Sequence, residues 1–356
     1  MKYLLFVQCE GRGHLTQSLA LKKMLEKRGH EISAIITGAG KPENLPDFFK
    51  QKIDCPLFSV ESPRFITDKK GKGIKIFKSA IKTIYHSPRY FSSLKKIRKI
   101  VKQYSPDIFI NFYEPLAGNY RRLYCDRRPM FCIGHQHFIS HSSFKLAPIN
   151  KIAKLSFKIY NRLTAPKNTI KIALSFTMEP DMPQKNLFVC PPLIREEIMN
   201  AQTSKQNFIL VYLLNPGYSE EIINWNKKNP KFKIQAFWNK PENIAISPTL
   251  TFHSLSGQKF IEHLSSCDAY VATAGFDSIA EAAYLQKLIM MVPTKNHFEQ
   301  KYNAFDAKRS GLAMSSDIFD LSMIIDNQKT PSLESLKTFR KWVNDYNDKI
   351  INLLEQ

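Results

Sequence analysis

The sequence predicts an α/β protein with two domains, each built on a mostly parallel sheet. Three observations support this fold class. The chain has 356 residues, more than a usual single domain. Short apolar runs, such as 3–7 and 208–214, alternate with segments of helical spacing. Polar residues collect just after several of these runs, at the edge where open α/β sheets bind ligands.

Composition and charge narrow the function classes. Hydrophobic residues make up 43% of the chain and aromatic residues 12%, which excludes a disordered protein. Lysine and arginine total 52 against 31 acidic residues, a net charge of +21, which favours an anionic partner. The basic residues are spread along amphipathic stretches and form no recognised nucleic-acid motif. A nucleic-acid-binding protein therefore remains only as a non-enzymatic alternative, and we expect no nucleic-acid partner.

The cysteines and the apolar runs indicate the compartment. Six cysteines are scattered without a Cys-x-x-Cys pair, which predicts reduced, buried thiols and no metal site. Met1-Lys2 leads directly into an apolar strand, so no signal peptide is visible. No apolar run approaches the roughly 20 residues that span a bilayer. We expect a cytoplasmic protein that is either soluble or peripheral on the inner face of the membrane.

The first strand of the chain ends in a glycine-rich turn. Predicted strands at 3–7 and 31–36 flank a helix predicted from about 15 to 28, and Gly11-Arg12-Gly13-His14 lies between the first strand and this helix. The turn lacks the third glycine of the dinucleotide fingerprint. His14 can act as a general base or help to hold a departing phosphate. The alternative is a capping or packing histidine.

Two further predicted strands of the first domain also end in titratable residues. The strand at 107–111 exits through Glu114, and the strand at 130–133 exits through His135 and His137. Because the carboxyl ends of parallel strands meet at one edge, we expect these side chains to lie on the same rim as His14. Each of them can also be a structural hydrogen bonder, so the catalytic and structural interpretations both stay open.

Two basic amphipathic stretches lie in the first domain. Apolar residues at 74, 77, 81 and 84 keep helical spacing among lysines, and the stretch 151–162 repeats the pattern with Ile152, Leu155 and Ile159. In one interpretation the apolar stripes pack on the core and the lysines are solvated. In the other, the stripes lie on anionic lipid.

The double proline at 191–192 favours extended chain and indicates a linker. We therefore expect a first domain at 1–190 and a second at 191–331. A last helix is predicted from about Ser332 to the C-terminus, with its apolar residues on one stripe, and forms a third segment at 332–356.

The most informative stretch follows the predicted strand at 268–272. Thr273 and Gly275 lead into a helix, where glycine permits a tight turn and close approach to a ligand. Free N–H groups in the first turn of a helix favour a phosphate. Ser278 and Glu281 are three residues apart and share one helix face. A carboxylate in this position suits a pair of sugar hydroxyls. The next strand, 288–292, exits towards Glu299 and Gln300, so both strands present polar groups to one edge.

The run 268–304 resembles the donor-sugar signature of two-domain glycosyltransferases of the GT-B fold. The branch it is most similar to contains the bacterial N-acetylglucosaminyltransferase of peptidoglycan lipid II synthesis and uncharacterised relatives. The resemblance implies that Thr273, Gly275 and Ser278 hold the nucleotide diphosphate, that Glu281 binds ribose, and that Glu299 with Gln300 contacts the transferred sugar. Gln286-Lys287-Leu288 departs from the family's Gly-x-Pro.

The resemblance also implies an arrangement for the whole chain. The two Rossmann-like domains would face each other across a cleft, the Gly-x-Gly-His turn would line the acceptor side, and the last helix would return to the first domain. The loop that opens with Asn215 would face the donor phosphates. The Glu-Pro turn at 114–115 and the His-Gln-His turn at 135–137 recur in relatives of this branch.

The implied reaction is inverting transfer of a hexose or N-acetylhexosamine from a nucleoside-diphosphate sugar, UDP-linked in this branch, to an acceptor sugar or glycolipid. A nucleotide-sugar 2-epimerase is the enzymatic alternative. No Asp-x-Asp motif is present, so neither a metal nor a separate cofactor is implied. The sugar, the base, the acceptor and the oligomeric state stay open, as does the choice of base between His14 and Glu114. The candidate catalytic residues are His14, Glu114, His135 and His137, and the candidate donor-binding residues are Gly13, Asn215, Thr273, Gly275, Phe276, Ser278, Glu281, Glu299 and Gln300.

Overall fold

The structure is a computed structural model that describes residues 1–64, 66, 76–144, 151–213, 216–295, 297–325 and 332–356. The chain divides into two compact units. The first contains Met1–Ile66, Ile76–Leu193 and Tyr346–Gln356, and the second contains Ile194–Asp345. The part of the first unit that precedes the second unit thus ends at Leu193, three residues after the boundary expected at 190.

The first unit is built on a parallel sheet. In the described residues this sheet has seven strands in the order β3-β2-β1-β4-β5-β6-β7, and every neighbouring pair is parallel. Such nearly all-apolar runs suit strands that are buried on both faces. The strands are β1 (Lys2–Val7), β2 (Glu31–Thr37), β3 (Leu57–Ser59), β4 (Ile108–Phe112), β5 (Met130–Ile133), β6 (Ile170–Leu174) and β7 (Leu187–Cys190).

Helices connect these strands and cover the sheet. One core cluster joins Leu4 and Phe6 of β1 to Ile97 and Val101, which lie one turn apart on a covering helix. Short 3-10 turns lie at Pro42–Asn44, His135–Ser140 and Pro183–Lys185. The α-helices of this part are α1 (Gly13–Lys27), α2 (Asp47–Lys50), α3 (Ile76–Tyr85), α4 (Ser87–Tyr104), α5 (Pro115–Tyr124) and α6 (Lys151–Thr164).

The second unit repeats this design with one exception at its edge. In the described residues its sheet has seven strands in the order β10-β11-β9-β8-β12-β13-β14, and only the β10–β11 pair is antiparallel. The strands are β8 (Phe208–Leu213), β9 (Lys233–Trp238), β10 (Ile244–Ser247), β11 (Leu250–Ser254), β12 (Ala269–Thr273), β13 (Leu288–Val292) and β14 (Met314–Ser315).

The core of the second unit forms between this sheet and its helices. Val211 of β8, Val271 of β12 and Met290 of β13 are fully buried in one cluster that also contains Ile222 from a covering helix. The helices are α7 (Glu196–Met199), α8 (Ser219–Lys228), α9 (Gly257–Ser266), α10 (Asp277–Tyr284), α11 (Phe298–Arg309), α12 (Ser322–Ile325) and α13 (Leu333–Tyr346).

The α/β fold class and the parallel sheets are confirmed, and the strands that the sequence predicts start and end within about two residues of their predicted positions. The short strands β3, β10 and β14 were not predicted. The predicted helix at 15–28 is α1, which ends at Lys27 before Gly29, a residue with φ of +77°. Helix α11 begins at Phe298, so Glu299 and Gln300 lie in its first turn.

The single helix expected from Ser332 to the C-terminus is wrong. Helix α13 ends at Tyr346, and a separate helix, α14 (Lys349–Leu354), belongs to the first unit. In that unit the hydroxyl of Tyr3 donates to the Leu354 carbonyl, and the Lys349 ammonium lies 2.8 Å from the Asp181 carboxylate. Leu336, Phe339 and Val343 of α13 and Ile350 of α14 are buried, whereas Tyr346, where the chain passes from the second unit to the first, is 41% exposed.

Of the two interpretations of the basic amphipathic stretches, burial of their apolar stripes is wrong for the side chains that the structure describes. Ile81 and Ile84 of α3 are 52% and 74% exposed, and Leu155 and Ile159 of α6 are 59% and 51% exposed. The side chain of Phe77 and that of Ile152 lie outside the described residues, as does Ile74. Helix α6 instead buries the face that carries Phe157, Asn161 and Thr164. None of the described helices is long and apolar enough to cross a bilayer.

The turn at Gln286-Lys287, where the resemblance expects glycine and proline, is held by other means. Gln286 has a φ of +56°, a left-handed conformation that glycine usually supplies. Lys287 is buried, and its ammonium donates to the carbonyls of Ser204, Ser265 and Cys267 at 2.7–3.2 Å. The turn keeps its shape because the lysine satisfies three backbone acceptors.

Candidate active site

In each sheet the chain crosses from one side to the other beside the first strand. The switch lies between β1 and β4 in the first unit, and between β8 and β12 in the second. In open α/β sheets ligands bind outside the carboxyl ends of the strands at such a switch point. His14 and Glu114 follow β1 and β4, and Thr273 and Gly275 end or follow β12. The topology therefore places the predicted residues at the expected edge of each sheet.

His14 lies in the first turn of α1, and its ring is held by two amides. Its Nδ1 is 3.3 Å from the Gln17 side-chain oxygen, and its Nε2 is 3.4 Å from the Gln136 side-chain nitrogen. An amide oxygen only accepts hydrogen bonds, so Nδ1 carries the proton and Nε2 has the lone pair. Burial lowers the pKa of His14 to about 4, so the ring is neutral at pH 7. Gly13 precedes it and is partly exposed.

An aromatic cluster surrounds His14. The ring of Tyr113 stacks on His14 at 5.8 Å and meets His137 edge-on at 5.7 Å. Tyr160 of α6 lies 5.4 Å from the ring of Tyr113, and its hydroxyl accepts from the Gln8 amide at 2.9 Å. Tyr113 has a φ of +60°, a conformation that costs a non-glycine residue on the order of 1–3 kcal/mol. The strain directs its ring onto the histidines.

Glu114 caps a helix. Its Oε1 accepts from the Leu116 backbone N–H at 3.0 Å and from the Ser62 hydroxyl at 2.5 Å. Among the described residues, none is within hydrogen-bond distance of Oε2, which is buried against Gly38. A side chain at Gly38 would place its Cβ 2.2 Å from this oxygen, so only glycine fits there. Burial raises the pKa of Glu114 to about 7.

His135 and His137 differ in their surroundings. The Nδ1 of His135 donates to the Leu174 carbonyl at 2.7 Å, and the ring stacks on Phe138. These contacts fix His135 as part of the core. His137 is also buried, and burial lowers its pKa to about 3. The structure therefore brings His14 and His137 together around Tyr113, and it points Glu114 and His135 into the packing of the unit.

In the second unit, the turn after β12 has the tight shape expected of it. The N–H of Gly275 donates to the Thr273 carbonyl at 2.7 Å. A Cβ at Gly275 would lie 4.0 Å from its nearest neighbour, so neither the backbone nor the packing requires glycine there. The role of Gly275 in the close approach of a ligand stays a prediction. Phe276 precedes α10 and is buried, and Ser278 in its first turn is partly exposed.

Glu281 lies one turn into α10 and is buried in an ion pair. Its two oxygens accept from Nε and Nη2 of Arg195 at 2.6 and 2.7 Å. Burial disfavours the charged guanidinium, but the Glu281 carboxylate outweighs it and raises the pKa of Arg195. Glu197, and Asp277 in the first turn of α10, add two further negative charges near Arg195. Sequence reasoning missed Arg195, whose only signal is an arginine shortly after the predicted linker.

The loop after β13 is tied to the turn after β12. The Gln300 side-chain oxygen accepts from the Thr294 N–H at 2.8 Å, and the Asn303 side-chain nitrogen donates to the Ala274 carbonyl at 3.0 Å. Glu299 lies in the first turn of α11 and is partly exposed. Residues 273 and 292 are paired neighbours of the parallel strands β12 and β13. The two loops therefore form one polar surface.

The remaining expectations concern Asn215, metal ligands and the cysteines. Asn215 lies outside the described residues. Within the described ranges, no group of three or more histidine, cysteine, aspartate and glutamate side chains is arranged to hold a metal ion. All six cysteines are free thiols, but the expectation that they are buried holds only for Cys132, Cys190 and Cys267. Cys125 is exposed, and Cys9 and Cys55 are partly exposed. Sequence reasoning also missed Gln136 and Tyr113, although each is adjacent in sequence to a residue that it did select. Asn303 lies within the run 268–304, but no role was predicted for its side chain.

Solved structures show the class of this fold. The chain matches the glycotransferase of kitacinnamycin with a TM-score of 0.67 at 15% identity, over 99% of this chain and 98% of that one. It matches the spinosyn rhamnosyltransferase SpnG, complexed with thymidine diphosphate, with a TM-score of 0.66 at 12% identity and full coverage of both chains. MurG of Acinetobacter baumannii matches with a TM-score of 0.55 at 14% identity, over 96% and 95%. The fold is that of GT-B glycosyltransferases.

The family follows from the sequence itself. Residues 1–327 match the model of glycosyl transferase family 1, and the chain belongs to this family. It is 25% identical over 347 residues to an uncharacterized glycosyltransferase of Methanosarcina acetivorans, covering 87% of this chain and 84% of the relative. A relative in Methanosarcina mazei is 24% identical over 335 residues, covering 87% and 85%. The protein is a glycosyltransferase, and neither the epimerase nor the nucleic-acid alternative is favoured.

Proposed function

We propose that this glycosyltransferase moves a hexose or N-acetylhexosamine from a nucleoside-diphosphate sugar, UDP-linked, to an acceptor hydroxyl with inversion at the anomeric carbon. The donor binds the second unit and the acceptor binds the first. The observation that carries the proposal is the joined polar surface after β12 and β13. Thr273, Gly275 and Ser278 line its turn, Glu281 lies one helical turn further on, and Gln300 comes from the neighbouring loop.

Each group of this surface has a proposed partner on the donor. The exposed N–H groups at the start of α10, together with Thr273 and Ser278, take the diphosphate. Glu281 accepts from ribose hydroxyls, because each carboxylate oxygen has a second lone pair beyond the bond to Arg195. The Gln300 oxygen is occupied by Thr294, so its amide N–H groups donate to the sugar. Glu299 accepts from a sugar hydroxyl.

The geometry supports His14 as the general base more than Glu114. The pKa of Glu114, about 7, is better matched to proton transfer near neutral pH than the pKa of His14, about 4. Position outweighs this, because a base must first reach its proton. The Glu114 carboxylate is committed to a helix cap and to Gly38. Among the described residues, the Nε2 of His14 accepts one long hydrogen bond, from the Gln136 side-chain nitrogen at 3.4 Å. His137 is the next candidate.

The proposed step is a displacement at the anomeric carbon in which His14 acts as the base. His14 Nε2 takes the proton of the acceptor hydroxyl as its oxygen forms a bond to the anomeric carbon. The bond from that carbon to the donor phosphate oxygen breaks on the opposite side, and its electron pair leaves with the nucleoside diphosphate. Oriented N–H groups at the start of α10 and the hydroxyls of Thr273 and Ser278 stabilise the developing charge.

A thermal-shift screen with UDP, GDP, thymidine diphosphate and their sugars tests donor binding. A ligand at a hundredfold excess over its Kd adds about 2.7 kcal/mol to the stability of the folded state. We expect a clear rise in Tm with UDP and UDP-sugars. Gln300→Ala should reduce the preference among sugars and keep the shift with the bare diphosphate, and the surface variant Gln258→Ala should change neither. If no nucleoside diphosphate raises the Tm, the proposed function is wrong.

We also propose that the first unit binds the cytoplasmic face of an anionic membrane and that its acceptor is lipid-linked. Exposed apolar side chains on α3 and α6 are accompanied by the exposed cations Lys78, Lys82, Lys158 and Arg162. This combination is typical of surfaces that lie on lipid. The inner face of the same α6 carries Tyr160 and Asn161, which contact Gln8 and Gln136 beside His14. One helix therefore connects the apolar surface to the acceptor residues.

Vesicle sedimentation tests the membrane proposal. The protein should sediment with vesicles that contain phosphatidylglycerol, less so as salt rises, and poorly with pure phosphatidylcholine. Each lysine near the surface contributes about 1 kcal/mol. Lys78→Glu/Lys82→Glu should therefore abolish binding. The matched pair Lys227→Glu/Lys228→Glu changes the same charge on α8 and should keep it. Wild-type protein that stays in the supernatant at low salt would contradict the proposal and favour a soluble acceptor.

A further inference from the structure

The buried ion pair between Arg195 and Glu281 joins two distant parts of the second unit. Arg195 precedes α7 and reaches α10 across 86 positions of the sequence. Its side chain is 14% exposed and that of Glu281 is 3% exposed. Both contacts are short, 2.6 and 2.7 Å, and the fork of the guanidinium faces both carboxylate oxygens. This bidentate geometry fixes the plane of the carboxylate as well as its position.

A buried carboxylate without a cation would lose its charge. Desolvation favours the neutral acid, which donates one hydrogen bond where the carboxylate would accept two. The paired carboxylate keeps one free lone pair on each oxygen, and the two lone pairs are a few ångströms apart, like the two hydroxyls of a ribose. A neutral or rotated Glu281 could accept from one hydroxyl at most.

We infer that Arg195 is a positioning residue that holds Glu281 to accept from both ribose hydroxyls, so that this enzyme selects ribonucleoside diphosphates over their deoxy counterparts. The inference rests on the proposed role of Glu281 in donor binding and names the donor class more narrowly. It distinguishes this chain from a site that takes a deoxyribonucleotide such as thymidine diphosphate, the ligand held by the spinosyn rhamnosyltransferase structure.

Arg195 could also act only through its charge. Asp277 and Glu281 bring two negative charges near the place proposed for the diphosphate, and Arg195 offsets one of them. A purely electrostatic role would raise the affinity for every nucleoside diphosphate by the same factor. A positioning role would act only on nucleotides that have the hydroxyls. The ratio of affinities for ribose and deoxyribose forms therefore separates the two roles.

Isothermal titration with UDP, 2′-deoxy-UDP and 3′-deoxy-UDP measures this ratio, with the GDP series in parallel. The proteins are the wild type, Arg195→Lys, Arg195→Met and Arg195→Met/Glu281→Gln. Arg309→Met is the matched control, because Arg309 pairs with the buried Asp306 on α11 and has no proposed donor contact. Arg195→Lys keeps the charge without the fork and serves if Arg195→Met folds poorly.

We expect the wild type to prefer the ribose form at least about tenfold, the lower end for a hydrogen bond to a charged group. Arg195→Met and the double variant should bring the ratio close to one, Arg195→Lys should give an intermediate value, and Arg309→Met should keep the wild-type ratio. An unchanged ratio in Arg195→Met, or an equal loss of affinity for all forms, would overturn the inference and leave the proposed function standing. A wild type that binds none of the nucleotides would overturn both.

Discussion

Glu114 and Glu281 are two buried glutamates, each following a parallel strand of its own unit, yet their surroundings give them opposite chemistry. Glu281 faces the guanidinium of Arg195, which holds both of its oxygens in one orientation. Glu114 caps a helix with one oxygen and buries the other against Gly38, where it has no hydrogen-bond partner among the described residues. The charge of Arg64 lowers the pKa of Glu114, but by less than burial raises it. Burial raises its pKa to about 7. Two carboxylates at equivalent ends of parallel strands are thus held in different ways, because different groups contact them.

The largest expected effect is on turnover, and it distinguishes His14 from Glu114 as the general base. Replacing His14 by alanine should lower turnover by about 10²–10⁴-fold, the usual contribution of a general base. Glu114→Gln keeps the oxygen that caps α5 and should lose less than about tenfold. Release of nucleoside diphosphate in the presence of acceptor measures both, and an unchanged Tm shift with UDP is the control. The reverse order of the two variants would make Glu114 the base.

The second effect concerns the stability of the two sites. Arg195→Met leaves the Glu281 charge buried without its partner, which should lower the free energy of unfolding by about 3–5 kcal/mol. Adding Glu281→Gln removes that charge and should recover much of the loss. Urea denaturation of the single and double variants measures it. A loss below about 1 kcal/mol in Arg195→Met would mean that the ion pair is weak in solution.

The third effect is a pH dependence of the free energy of unfolding that arises from Glu114. Its folded pKa, about 7, lies above its ordinary value of 4.5, so the folded state binds an extra proton between these values. The stabilisation is present below pH 4.5 and is lost as the pH rises through 7. Glu114→Gln removes this loss. The stability of Glu114→Gln relative to wild type should therefore rise between pH 5 and pH 8. The rise should be at most about 3 kcal/mol, because each pKa unit corresponds to about 1.36 kcal/mol.

His14 titrates in the opposite sense and serves as an internal check. Its folded pKa, about 4, lies below the ordinary 6.5, so its contribution is present above pH 6.5 and is lost as the pH falls through 4. This change is common to wild type and Glu114→Gln and cancels in their difference. Urea denaturation at each pH measures the difference. A pH-independent difference would show that Glu114 is ionised in the folded protein.

The smallest effect tests the charge balance around Glu281. Asp277 lies in the first turn of α10, where a negative charge stabilises the helix but repels the proposed diphosphate. Asp277→Asn should improve UDP affinity by about 0.3–1 kcal/mol, and the gain should shrink as salt rises. Titration at two ionic strengths measures it. Asp317→Asn, at an exposed position of the same unit, is the control and should have no effect.

Much of the fold could be predicted from local patterns. The run at 108–112 is apolar throughout and is a buried strand, and the same holds for 269–273 and 288–292. Because parallel strands share one carboxyl edge, the residues that follow them could be assigned to a site without knowing any contact. The exposed stripe of α6 shows the limit of this method. Its apolar periodicity predicts a buried face, but Phe157, Asn161 and Thr164 on another face fit the unit better.

By itself the sequence determined the α/β class, the two-part organisation and the strand ends that carry His14 and Glu281, because hydrophobic periodicity and turn residues act over a few positions. Which groups contact those residues depends on the tertiary structure. Gln136 reaches His14 across 122 positions and Arg195 reaches Glu281 across 86. Such partners set the protonation and orientation of a buried group, and their approach depends on how helices pack on the sheet, which no local pattern specifies.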